Sequence, residues 1–187
     1  MDRVTTRFGA FVVKVAGQLI NSIKELEMWI ENCAADDVPK AWHHDAGPNS
    51  MLIQIKDPCS AKYADTYGYP EPKHDFKERH FFEFLDVEDG DEGADEFGVT
   101  DEQATELVQL LTHAKENHMN VVVHCHAGIC RSGAVCEVGV MMGFNETERY
   151  RQPNLRVKHK MMKVLGWTYN ENEQPDQDSW RNFRNDL

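Results

Sequence analysis

The segment His124-Cys125-His126-Ala127-Gly128-Ile129-Cys130-Arg131-Ser132-Gly133 brings a thiol, a guanidinium and a hydroxyl close together in the chain. Five residues separate Cys125 from Arg131. The β-branched run Val121-Val122-Val123 leads into the cysteine, and an apolar helical pattern leaves from Ser132. This order places the thiol at the end of a buried strand and the guanidinium at the start of a helix. Between them, His126, Ala127, Gly128, Ile129 and Cys130 can turn successive N–H groups inward, forming an anion cradle at a helix N-terminus. A phosphate dianion fits such a cradle, with Arg131 forking onto two of its oxygens. The same positive field favours the thiolate of a cysteine, whose ordinary pKa of ~8.5 falls to ~3.5–7.5 in such surroundings. Cys125 is then expected as the nucleophile, with Ser132 donating to its sulfur and His124 orienting the loop. A cysteine already ionised needs no separate base.

The pattern H-C-x5-R-S-G resembles the signature of the protein tyrosine phosphatase superfamily, and the chain is most similar to its compact dual-specificity branch. The resemblance implies hydrolysis of phosphate monoesters through a phospho-cysteine, with Arg131 and the loop amides binding the phosphate. It also implies an aspartic acid, some thirty to forty residues upstream, that protonates the leaving oxygen. Asp86, Asp89 and Asp91 lie 39, 36 and 34 residues before Cys125. Asp86 is preferred because it ends an apolar run, Phe84-Leu85-Asp86-Val87, in a context similar to that of bacterial and viral members. Asp89 and Asp91 stay open because Gly90 and Gly93 would let their loop close. Seven of the eleven residues from Asp86 to Glu96 are acidic, so several must be solvated surface. A calcium loop is rejected because the oxygen-ligand and glycine positions fail.

No cofactor or metal is expected, since Arg131 and the amides supply the positive charge. His113, His118, His124 and His126 lack the paired spacing of a zinc site. The signature loop contains no lysine. Phosphoinositide-specific relatives usually carry extra basic residues there, so the expected substrate is a phosphorylated protein or peptide. Phosphotyrosine is favoured, with phosphoserine and phosphothreonine as further candidates. Two rival readings stay open: a phosphopeptide-binding pseudophosphatase, and a Cys-loop enzyme of the rhodanese or arsenate-reductase kind.

The elements around the loop must hold it. A strand is expected over 11–15, and a helix from the Ser22–Glu25 capping box to about Cys33. Further strands are expected at 51–55, 80–87 and 121–123, and helices at about 100–114, 132–142, 146–151 and 155–165, the last stopped by Gly166. The long loop 57–75 is a candidate wall of the substrate entrance. Asn154 reads as an N-cap by default, with a place lining the site as the alternative, and Arg151 and Arg156 as surface residues. Alternation of strands and helices predicts an α/β three-layer sandwich with a largely parallel central sheet, its ligand beyond the carboxyl ends of the strands.

A chain of 187 residues is the size of one domain, here 1–167 with a polar tail over 168–187. The net charge of −12 argues against general binding of nucleic acid or an anionic membrane. Five cysteines without paired spacing suit a reducing compartment, and the start lacks an export signal, so the expected location is cytoplasmic. Cys130 is read as a small apolar filler beside the nucleophile, with a protective disulfide to Cys125 as the alternative.

Overall fold

The computed structural model describes residues 28–59 and 68–167. The expected strand at 11–15, the start of the first helix and the C-terminal tail lie outside the described residues.

Val121, Val122 and Val123 are fully enclosed, as a strand covered on both faces must be. They belong to β4 (Asn120–Cys125), the middle strand of a five-stranded sheet. With β1 (Trp29–Ala34), β2 (Ser50–Lys56), β3 (Glu78–Glu83) and β5 (Asn145–Glu146), it forms the order β3-β2-β4-β1-β5. Every pairing is parallel, with Ala34 opposite Cys125, Gln54 opposite His124 and Lys56 opposite Glu83. The carboxyl ends of β1, β2, β3 and β4 therefore gather on one edge.

Strand alternation sorts the side chains between two cores. Met51, Ile53, Ile55, Val121, Val123 and Cys125 face the helices. Leu52 and Val122 face the other way, toward Val38, Ala46 and Phe76, under short 3-10 turns at Ala35–Asp37 and Ala41–Ala46. Among the described residues four helices alternate with the later strands: α1 (Ala94–Phe97), α2 (Asp101–Glu116), α3 (Arg131–Met141) and α4 (Leu155–Val164). Helix α2 opens on the expected capping box: Thr100 Oγ1 accepts from the Gln103 amide, and Gln103 Oε1 from the Thr100 amide. Its face of Ala104, Leu107, Leu111 and Ala114 is buried. Helix α3 lies close on β1, where a Cβ on Gly139 would come within 2.6 Å of Ile30. Among the described residues no helix is long and apolar enough to cross a membrane.

Three expectations need correction. Residues 29–34 form a strand, not the end of a helix. Ile30 matches the helical spacing of Ile23 and Leu26, but its burial comes from period two: Ile30 and Asn32 point to the helix side, and Cys33 to the other core. Residues 147–151 are not helical: the chain there is irregular, and just beyond it the Gln152 amide bonds Ile129 O of the signature loop. The third strand ends at Glu83, earlier than expected, and the Leu85 amide turns away to bond Phe97 O.

Candidate active site

Cys125 ends β4 and is almost wholly enclosed, its Sγ 3.2 Å from Ser132 Oγ in the first turn of α3. The loop between them is held by its carbonyls. His126 O accepts from the Ala35 amide at 3.1 Å, and Gly128 O from Asn32 Nδ2 at 2.7 Å. Ile129 O accepts from the Gln152 amide at 3.3 Å, and Cys130 O from the amides of Ala134 and Asn154 at 2.8 and 3.1 Å. Carbonyls pulled outward turn the intervening peptide N–H groups to the concave side, as an oxyanion cradle requires.

Gly128 makes this curvature possible. Its φ is +73°, and a Cβ there would sit 2.2 Å from the Cys33 carbonyl carbon. Asn32 is buried in β1 and braced in turn by Arg151, whose Nε donates to Asn32 Oδ1 at 2.7 Å. Arg151 and Arg156, read from sequence as surface residues, are both largely enclosed.

Arg131 is 4% exposed. Its Nη1 donates to Asp57 Oδ1 at 2.6 Å and to Phe84 O at 2.7 Å, at the ends of β2 and β3. Nε is buried and has no hydrogen-bond partner among the described residues. One side of the guanidinium is thus anchored, while a donor on the other is left for an oxyanion.

His124 lies behind the nucleophile, enclosed, with Nε2 3.1 Å from Gln54 Nε2. Gln54 donates also to Pro70 O, and its Oε1 accepts from Arg79. An amide nitrogen can only donate, so His124 Nε2 accepts and the ring proton sits on Nδ1. Burial pushes the His124 pKa down to about 4, so the ring is neutral and cannot be a charged partner near pH 7. Burial also raises the Cys130 thiol to about 11, with Asp86 adding to the effect, so Cys130 stays protonated beside that carboxylate. All five cysteines are free.

The three candidate acids separate. Asp86 Oδ1 accepts from Asn154 Nδ2 at 2.8 Å, beside the signature loop. Asp89 pairs with Arg156, and Asp91 Oδ2 accepts the Glu88 amide at 2.7 Å in its own turn. Cys125, Arg131, Ser132, the loop and Asp86 therefore stand together, and Asp89 and Asp91 are engaged elsewhere. Of the long loop, Gly68 and Pro70 line a depression with His126, Ala35 and Asp36. Among the described residues no group of three or more His, Cys, Asp or Glu side chains is arranged to hold a metal ion.

Asp57, Asn32 and Gln54 were not found from sequence. The signal for Asp57 was its position directly after a strand's carboxyl end, where ligands gather in this architecture.

The family model for protein-tyrosine phosphatase matches residues 95–164, which include the signature loop. The crystal structure of human DUSP28 aligns with a TM-score of 0.50 at 12% identity, over 73% of this chain and 91% of that one. Human tyrosine phosphatase-like serine/threonine/tyrosine-interacting protein gives 0.49 at 15% identity, over 73% and 91%. A mouse dual specificity phosphatase complexed with zinc tungstate gives 0.48 at 16%, over 72% and 79%. No curated protein matches the chain by sequence. The family match covers the signature loop and the helices around it, and the structural likeness is one of fold.

Proposed function

We propose that this chain hydrolyses phosphate monoesters on proteins or peptides, phosphotyrosine first, through a phospho-cysteine. The observation that carries the reading is the outward-held loop beside Cys125, with the Nε of buried Arg131 unpartnered among the described residues. In the first step the Cys125 thiolate attacks phosphorus in line. The S–P bond forms, the ester P–O bond breaks, and Asp86 gives its proton to the leaving oxygen. Arg131 and the amides of the loop hold the equatorial oxygens, a task of positioning and electrostatic stabilisation. In the second step Asp86, now a carboxylate, takes a proton from water as that water attacks phosphorus. The S–P bond breaks, and phosphate and thiolate are released. His124, neutral and packed on Gln54, orients the loop and takes no part in proton transfer.

Phosphotyrosyl, phosphoseryl and phosphothreonyl peptides, tested in parallel with p-nitrophenyl phosphate, measure the substrate range. Cys125→Ser is expected to lose turnover of all of them while still binding orthovanadate. Parent-level hydrolysis by Cys125→Ser would overturn the mechanism. Vanadate and phosphopeptide binding without any turnover by the parent chain would make it a binding module instead.

A further inference from the structure

We propose that Asn154 is the positioning residue for the acid step, fixing which oxygen of Asp86 carries the transferred proton. The inference rests on the role proposed above for Asp86. Asn154 is 3% exposed and joins three parts of the site. Its Oδ1 accepts the Val157 amide at 2.9 Å and so caps α4. Its Nδ2 donates to Asp86 Oδ1 at 2.8 Å and to Val87 O at 3.1 Å. Its own amide donates to Cys130 O in the signature loop.

The residue type follows from this double duty. Serine, threonine, aspartate and asparagine all cap helices. Only asparagine caps with one end of its side chain and offers an NH2 group with the other. That group can pair only with an accepting oxygen. When Asp86 is ionised, either oxygen would serve. When it is protonated, Oδ1 must remain the carbonyl-like acceptor, and the proton is assigned to Oδ2. The hydrogen bond thus persists through both steps of the cycle and leaves the same oxygen to face the substrate each time.

The neighbouring acidic residues hold this arrangement in place. Glu88 accepts the amides of Leu155 and Arg156 on its two carboxylate oxygens, both at 2.9 Å. Arg156 reaches back to Asp89 and Asp95. The acidic stretch is therefore docked on the N-terminus of α4, where negative charge is favoured.

The test compares kcat on phenyl phosphate, whose leaving group needs a proton, with kcat on p-nitrophenyl phosphate, whose leaving group needs it less. Asn154→Ser keeps a capping oxygen but loses the amide donor. It is expected to lower kcat on phenyl phosphate by about 10- to 100-fold. On p-nitrophenyl phosphate the loss should stay below about threefold. Asn154→Asp keeps the cap's shape, sets a second carboxylate against Asp86, and should show the same selective loss even if the serine variant folds poorly. An equal loss on both substrates, or no loss on either, would overturn the proposal. Asp86→Asn is measured alongside. If it too shows no leaving-group dependence, the acid assignment fails. If it does and the Asn154 variants do not, only the role of Asn154 fails.

Discussion

Asp57 Oδ1 lies 2.6 Å from Arg131 Nη1, joining the end of β2 to the start of α3 across 74 residues of chain. Arg131 is nearly enclosed, and Asp57 is 15% exposed at its side chain, so the pair is desolvated on one side. Removing one partner of such a pair leaves the other charge without compensation, which costs about 3–5 kcal/mol when fully buried. Here the partial exposure of Asp57 reduces that to about 2–3 kcal/mol. Asp57→Ala is expected to lower stability in urea by this amount and kcat by more than about tenfold, because Arg131 loses half its anchor. Asp57→Asn keeps an accepting oxygen and should lose much less on both measures. An alanine variant with parent stability and turnover would show that Phe84 O alone holds the guanidinium.

Gly128 and Gly133 lie five residues apart, yet substitution should affect them very differently. Alanine at 128 needs a left-handed backbone and places Cβ 2.2 Å from backbone atoms of β1, which cannot move without shifting the sheet. Gly128→Ala should abolish vanadate binding and lower the melting temperature. At Gly133 the nearest atom is the side chain of Arg151 at 3.3 Å, able to give by a few tenths of an ångström. Gly133→Ala should keep most activity. Equal behaviour of the two variants in vanadate titrations would contradict the loop geometry described.

The signature loop was legible because its chemistry is local: a strand, five residues and a helix start, all contiguous. The fold class was legible from alternation, and α2 from its capping box. Asp57 and Asn32 meet the site only through the sheet order β3-β2-β4-β1, which no local pattern in the chain reveals. Residues 29–34 were misread because one isoleucine satisfied two periodicities, and pairing with β4 decided between them. Arg151 and Arg156 were misread because their partners Asn32, Asp89 and Asp95 are distant in sequence.

His43 and His124 are enclosed, and burial lowers the pKa of each to about 4 from an ordinary 6.5. The sign of their effect on stability follows from proton uptake. Above pH 6.5 neither state binds the proton and nothing changes. Between 6.5 and 4 the unfolded chain binds it and the folded chain does not, so stability falls as pH falls. At pH 5.5 each histidine should remove about 1.4 kcal/mol relative to pH 8. Urea unfolding at pH 8 and 5.5 measures the sum, about 3 kcal/mol. Replacing His124 with glutamine should halve the difference. A stability independent of pH over this range would mean the rings take up protons in the folded state.

The three upstream aspartates divide by what holds them, and pH profiles read that division directly. A group that must be protonated to act produces the fall of kcat at high pH, the basic limb. Asp86 adjoins the signature loop through Asn154, so Asp86→Asn should remove the basic limb and lower kcat on phenyl phosphate by about 10²–10⁴. Asp89 is paired with Arg156 but mostly exposed, and such pairs contribute about 0–1 kcal/mol. Asp89→Asn should therefore keep the limb and lose little stability. Asp91 accepts an amide within its own turn, so Asp91→Asn should loosen residues 88–91 without altering the profile. A basic limb that survives in Asp86→Asn and disappears in Asp89→Asn would move the acid three residues along and require the Arg156 pair to open in the working enzyme.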